Sequence, residues 1–377
     1  MAEFLINKIK KIINDSEQGS ISYSDFISLA LYDRDSGYYM KDRKKIGKEG
    51  DFYTNSNVHS VFGKVLARIF AQLVQKDILP PTICEIGAGT GRLANFILDE
   101  WEIIDPVSFA QLRYHIIEMS PYHQEQQLST IQKIDKVQQY ESINEMISKI
   151  GGFTGFVLSN ELFDAFPVDV LHKKENEIFE ARVSVEGDTL SEVLVPCESK
   201  ELLDWLEENK ISLRNGQRME IPIAMNNWID ETKDWFNKGL MFTIDYGYTK
   251  EEWMEPVHRE GSLRGYYKHQ MVRDPLLHPG DMDLTHHIHL DTLIDKGEQV
   301  GLTLLTMLKQ YKFLLRGGIL EYLQEQYDPN PFSEISKQNR AIRNLLLDDG
   351  ISASFTVVIQ KKELPTILID DVLRYNF

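Results

Sequence analysis

The stretch Thr82-Ile83-Cys84-Glu85-Ile86-Gly87-Ala88-Gly89-Thr90-Gly91-Arg92-Leu93-Ala94-Asn95-Phe96-Ile97-Leu98 decides the fold. A short apolar run bounded by Pro80-Pro81 and by glycine reads as a buried strand. Three glycines at alternate positions let the backbone turn tightly and approach a ligand with no Cβ in the way. The apolar residues from Leu93 onward then recur as in a helix. Strand, glycine turn and helix in that order are the repeating unit of an α/β protein.

Working outward, residues 114–118, 156–159 and 240–245 repeat the buried-strand pattern with helical stretches between them. A doubly wound, mostly parallel sheet follows from that alternation. Residues 302–307 and 354–359 are β-rich with a helical 339–347 between them, and predict an antiparallel pair closing the sheet. Residues 168–196 show β-branched alternation and a turn at Glu186-Gly187-Asp188, which predicts an antiparallel insertion before a helical 201–209. Residues 1–80 are helical at both ends: Ser22 and Ser24 precede an apolar run, and residues 61–74 are amphipathic. The expected organisation is an N-terminal segment 1–80, a core of 81–167 and 239–377, and an inserted subdomain 168–238. Residues 247–289, rich in Gly, Pro, His and Tyr without clear periodicity, read as a long irregular cover over an active site.

The 41 basic and 58 acidic residues leave a formal charge of −17, a field that repels phosphate backbones and disfavours a nucleic-acid partner. The lysine-rich residues 41–48 read as a solvated loop. Cys84 and Cys197 stand far apart, in no disulfide framework or metal-ligand spacing. The start, an amphipathic helix, lacks the apolar core and cleavage site of a secretory signal. No apolar run approaches the roughly 18 residues of a spanning helix. A cytoplasmic protein without a membrane span is the resulting expectation.

The chemistry starts at the glycine turn. A dinucleotide site prefers G-x-G-x-x-G, whereas here the third glycine comes one position early and Arg92 fills the expected slot, which favours S-adenosylmethionine. Gly87, Gly89 and Gly91 are the cofactor-cradling positions. Glu85, just before them, places a carboxylate where the cationic methionine end of that cofactor would lie. Glu118, ending the next strand, stands where a carboxylate accepts both ribose hydroxyls; the plainer alternative is a helix cap. Asn160 and Glu161 follow the strand at 156–159 at its carboxyl end, facing the crevice of such sheets, and are the catalytic candidates. Glu161 orients a nucleophilic nitrogen or accepts its proton, with Asp164 expected on the same helical face. His286, His287 and His289 are read as loop chemistry beside Asp281, Asp283 and Thr285, and no metal site is assigned.

Longer motifs point to one family. Gly37-Tyr38-Tyr39, Gly47, Gly50-Asp51-Phe52-Tyr53-Thr54 and Phe62-Gly63 form an N-terminal block. Glu85 to Gly91, Glu118-Met119-Ser120-Pro121 and Asn160-Glu161-Leu162-Phe163-Asp164-Ala165-Phe166-Pro167-Val168 follow. Gly261-Ser262-Leu263-Arg264, His269, Asp274-Pro275, Pro279-Gly280, Asp283-Leu284-Thr285-His286-His287 and Gln310 before Phe313-Leu314 complete the set. In this combination the chain resembles the MidA-like methyltransferases over nearly its whole length.

The resemblance implies a seven-stranded methyltransferase sheet with an N-terminal helical lid, and S-adenosyl-L-methionine as cofactor. It implies a protein substrate, since a mitochondrial family member dimethylates an arginine on a partner during respiratory complex I assembly. Carried over, Gly50 and Thr54 join the cofactor pocket and Asp51 joins Glu161 in holding the acceptor nitrogen. Two departures stand out: Asn55-Ser56-Asn57 replaces the family's Ser-Pro-Glu, and His289 occupies a position usually acidic or Asn. The missing glutamate leaves the identity of the methyl acceptor open. Two rival functions share these features: an assembly chaperone that binds the cofactor without catalysis, and an NAD-dependent oxidoreductase whose ribose carboxylate would also be Glu118. Arg92 counts against the second.

Overall fold

A computed structural model describes residues 2–42, 60–324, 330, 332–347, 354–364 and 369–373. The chain divides into two compact units, each assembled from separated segments. The first comprises Met1–Phe52, Phe163–Asp230 and Gly247–Lys296; the second comprises Tyr53–Leu162, Glu231–Tyr246 and Gly297–Phe377. These limits depart from the sequence-based ones. The N-terminal 1–80 segment is split between the units, and the inserted 168–238 region shares its unit with residues 247–296 only as far as Asp230, its last residues belonging to the second unit.

The second unit is built on a large sheet. Its hydrogen-bonded order is Thr303–Lys309, Phe355–Lys362, Phe236–Tyr248, Phe153–Asn160, Thr82–Ile86, Arg113–Ile117, Val137–Tyr140. The five strands from Phe236–Tyr248 to Val137–Tyr140 are mutually parallel, and Phe355–Lys362 runs antiparallel to both its neighbours. The expected terminal antiparallel pair is therefore present. Ile83 lies beside Tyr114 on one side and Phe156 on the other, so the glycine-turn strand sits well inside the sheet with both faces covered. The helix Ser60–Gln75 covers one face: Phe70 stacks on Phe156 at 4.5 Å between ring centres and meets Phe242 edge-on at 5.1 Å. Gly63 permits its approach to the helix Arg92–Ile104, because a Cβ there would sit 2.6 Å from Cβ of Phe96.

The first unit has its own cores. In the helix Ala2–Asp15, Leu5, Ile9 and Ile13 recur every four residues and are fully buried, giving the stripe that an amphipathic helix presents to a core. Ser22 caps the next helix, Tyr23–Tyr32, accepting from the backbone N–H of Asp25. Their apolar partners include Val170, Ala181 and Val183 of an antiparallel sheet. That sheet orders Ser20–Ser22, Glu177–Glu186, Asp169–Lys174 and Arg218–Ile221, with Thr189–Pro196 also paired to Glu177–Glu186. The hairpin closes at Glu186 opposite Thr189 as the turn signal predicts, with Gly187 in the left-handed region. A second core gathers Leu171, Trp205, Met219 and Trp253.

Residues 247–289 are not irregular throughout. Arg264–Tyr267 pairs antiparallel with both Gln270–Val272 and Asp283–Thr285, while Ile288–His289 runs parallel beside Gly247 and Tyr248. The hairpin turn consists of Lys268 and His269, both at positive φ, where a glycine or asparagine would have announced it.

Candidate active site

The second unit carries the glycine turn at the carboxyl end of Thr82–Ile86. Gly87, Gly89 and Gly91 have φ of 71, 53 and 78°, all left-handed, so the alternate glycines are conformational requirements. A Cβ at Gly91 would meet Cγ of Gln127 at 2.9 Å, whereas one at Gly89 would meet open space. Gly87 lies exposed between the buried Ile86 and Ala88. Gly91 caps the helix Arg92–Ile104 without a side-chain hydrogen bond, leaving the positive end of that helix beside the turn.

Glu118 follows the strand Arg113–Ile117 and is buried, its N–H bound to the Tyr140 carbonyl at 2.9 Å. Its carboxylate faces the turn: Oε2 accepts from the Gly89 N–H at 2.9 Å and Oε1 from the Ser120 N–H at 2.9 Å. Capping of the next helix, Pro121–Thr130, falls to Ser120 and not to Glu118. Glu85 is buried, with the Tyr114 hydroxyl donating to its Oε2 at 2.6 Å. Burial pushes the Glu85 carboxyl up to about 7; the Tyr114 hydrogen bond opposes the rise and the charge of Glu118 adds to it.

Asn160 ends the strand Phe153–Asn160, next to Thr82–Ile86, with Ser159 paired to Ile86. Glu161 then adopts φ of 53°, a left-handed conformation unfavourable to a side chain, while its N–H bonds the Ile244 carbonyl at 2.9 Å. Nδ2 of Asn160 reaches Oε1 of Glu161 at 3.3 Å. Such strain persists where the surroundings enforce it, and it collects at functional sites. The left-handed turn also ends the expected helix before it starts, and only a 3₁₀ turn, Phe163–Ala165, follows. Asp164 therefore does not share a helical face with Glu161.

The same unit thus holds Glu85, Gly87, Gly89, Gly91, Glu118, Asn160 and Glu161. Gly50, Asp51 and Thr54 lie outside the described residues. Oγ1 of Thr90, inside the turn, is among the buried side-chain atoms with no hydrogen-bond partner in the described residues. An unsatisfied hydroxyl, an uncapped helix start, an exposed glycine and a buried carboxylate fit the carboxylate, backbone and ribose of a nucleoside-bearing amino acid. Sequence reading missed Tyr114, Ser120 and Thr90, whose hydroxyl or N–H becomes relevant only once the strands are aligned.

In the first unit a polar network surrounds Asp164. Oδ2 of Asp164 accepts from the Thr285 hydroxyl at 2.8 Å and its carbonyl from the His286 N–H at 3.0 Å. The Tyr39 hydroxyl donates to Asp283 at 2.7 Å, and Lys41 pairs with Asp281 at 2.7 Å. The three histidines point to different partners. His286 faces the Phe166 and His287 carbonyls, His287 stacks on Tyr248 beside Arg264, and His289 meets the Glu220 carbonyl at 2.8 Å while stacking on Trp253. Burial holds the His289 imidazole down at about 3, so it is neutral. Among the described residues no cluster of three or more His, Cys, Asp or Glu is arranged to hold a metal, and no helix is long and apolar enough to cross a membrane.

Residues 62–308 match the sequence profile of S-adenosyl-L-methionine-dependent methyltransferases. The mitochondrial protein arginine methyltransferase NDUFAF7 of Mus musculus is 26% identical over 314 residues, covering 76% of this chain and 66% of its own. The Xenopus tropicalis protein of the same name is 23% identical, covering 97% and 88%. The chain thus spans just under two thirds of the mouse relative's length. A Burkholderia thailandensis protein crystallised with S-adenosyl-homocysteine superposes with a TM-score of 0.87 at 26% identity, covering 98% of this chain and 94% of that one.

Proposed function

The chain belongs to the S-adenosyl-L-methionine-dependent methyltransferases, and from that premise we propose that it methylates a nitrogen, an arginine side chain, on a partner protein. The observation that carries the catalytic assignment is the strained Glu161 beside Asn160, at the end of the strand adjoining the glycine turn. The arginine assignment is supported by the names of the relatives. The Burkholderia thailandensis likeness and the family profile set the nicotinamide alternative aside.

When bound, S-adenosyl-L-methionine supplies a methyl group already activated on a sulfonium. What remains for the protein is placement, exclusion of water and the handling of one proton. Glu118 accepts from the ribose hydroxyls, Thr90 and the start of Arg92–Ile104 hold the methionine carboxylate, and Glu85 faces the ammonium end. Asn160 orients the acceptor through hydrogen bonds from its amide. Glu161 attracts the cationic guanidinium and takes up the proton that the nitrogen gives up on methylation. Asp51 is assigned to the same acceptor by the family resemblance, as Gly50 and Thr54 are to the cofactor. A cytoplasmic location, a respiratory-complex subunit as partner and N-terminal helices acting as a lid belong to the same proposal.

The test is incubation of purified wild type and Glu161→Gln with methyl-labelled cofactor and cell lysate, followed by amino-acid analysis of the labelled protein. The expected result is label in methylarginine with wild type and a fall of at least about a hundredfold in the variant. Equal transfer by both would remove Glu161 from catalysis; label confined to another amino acid would overturn the arginine assignment. Cofactor binding by wild type with no transfer to any protein would favour the assembly chaperone.

A further inference from the structure

Gln127, on the helix Pro121–Thr130, is fully buried, although its neighbours Gln124 to Gln126 look in sequence like a solvated face. Its amide nitrogen donates to the Gly89 carbonyl at 2.7 Å. Its amide oxygen accepts from Nε2 of Gln139, on the strand Val137–Tyr140, at 2.6 Å, which fixes the orientation of the amide. The same Gln139 nitrogen donates to the Gln124 carbonyl at 2.9 Å, and the Gln124 amide donates to the Glu118 carbonyl at 2.6 Å. Three glutamines thus tie the glycine turn to the backbone of the Glu118 segment.

The tie matters because of what the Gly89 peptide does on its other side. The Gly89 N–H occupies one acceptor position on Oε2 of Glu118, and the Ser120 N–H occupies one on Oε1. Each carboxylate oxygen has about two such positions, and with His123 Nδ1 3.7 Å from Oε1, beyond hydrogen-bond reach, one remains on each. The remaining pair, held in a fixed plane, matches two adjacent hydroxyls. Gly89 has no side chain to restrain its rotation, and the bond from Gln127 at its carbonyl opposes a swing away from Glu118.

We infer that Gln127 is a positioning residue for the cofactor: by holding the Gly89 carbonyl it aims the Gly89 N–H at Glu118 and so aligns that carboxylate for a ribose diol. This rests on reading residues 85–91 as the S-adenosylmethionine site. Gln139 acts through Gln127 and has a smaller effect. Neither residue touches the cofactor or the acceptor.

The experiment measures dissociation constants of S-adenosylhomocysteine and of adenosine by calorimetry for wild type, Gln127→Met and Gln139→Met, with apo melting temperatures and transfer rates at saturating cofactor. Methionine keeps the shape of glutamine and removes the donor. Expected are a roughly tenfold weaker binding of both ligands by Gln127→Met and roughly threefold by Gln139→Met, with saturated rates within about twofold of wild type. A melting temperature that falls while both constants stay at the wild-type values overturns the inference, since the bond would then be structural only. Should Gln127→Met fail to fold, unchanged constants in Gln139→Met overturn it alone. Absence of binding by wild type would instead overturn the cofactor reading on which it rests.

Discussion

The glycine turn of residues 87–91 and the histidine segment of residues 286–289 are both short, polar and suggestive, yet they differ in what holds them. The turn is defined by its own backbone: three left-handed residues, each a glycine, between a strand and a helix. The histidine segment is defined by partners far away in sequence, namely the carbonyls of Phe166 and Glu220 and the rings of Tyr248 and Trp253. A requirement written in backbone geometry selects residue types at fixed spacing and can be recognised locally. A requirement written in side-chain partners leaves no spacing to recognise.

That difference sorts the predictions. The largest effect is expected from Gly91→Val, which places a branched side chain at φ of 78° against Gln127 and Ile131. Calorimetry should find cofactor binding reduced at least about a hundredfold; a folded Gly91→Val that binds normally would show that the turn is not the cofactor cradle. Glu118→Ala should weaken binding by about ten- to a hundredfold, the loss of two hydrogen bonds to a charged acceptor.

Glu220→Ala belongs to the other side of the comparison. Glu220 is fully buried and accepts from the N–H and hydroxyl of Ser262 and the N–H of Leu263, and it packs where Gly261 has no Cβ. Removing it strands those donors and should destabilise the protein by about 3 kcal/mol, read as a lowered urea midpoint. Cofactor affinity at low temperature should stay within about twofold, which would sharpen the separation between a partner-held region and a backbone-held one.

Glu85 gives a smaller, pH-dependent effect. With its folded-state carboxyl raised to about 7, it stabilises the free protein below the ordinary value of 4.5, and that contribution is lost as pH rises through about 7. An ammonium group beside it favours the ionised form. Binding should therefore tighten as pH rises through about 7 and release a proton, detectable by calorimetry in buffers of different ionisation enthalpy. Glu85→Gln should abolish that dependence. The smallest effect is expected from zinc or chelator on the histidine segment: no shift in melting temperature beyond about 1 °C, because its imidazoles are committed to separate partners.

Much of the second unit was legible because its elements carry local signals. The strands near residues 82, 114, 156 and 240 are apolar runs, and the terminal antiparallel pair shows as two β-rich stretches. The short strand Val137–Tyr140 escaped notice because Val-Gln-Gln-Tyr is too polar to register as buried. In the first unit, the hairpin turn at Lys268-His269 lacks any glycine, so residues 264–272 read as loop. The division into units crosses the chain after Phe52, Leu162, Asp230, Tyr246 and Lys296, none marked by a linker composition. Within the site, glycines and carboxylates were visible by type. The supports were not: Tyr114 faces Glu85 through strand register alone, and Gln127 reaches Gly89 across 38 residues. Glu161 was chosen for its chemistry, while its left-handed backbone, the stronger argument, belongs to the fold.

The most direct test of the account is a crystal structure of this chain grown with S-adenosylhomocysteine. The ribose hydroxyls are predicted within hydrogen-bond distance of both Glu118 carboxylate oxygens, with the amino-acid end over Gly87 and Thr90. A ligand bound elsewhere, or a ribose that leaves Glu118 untouched, would contradict it.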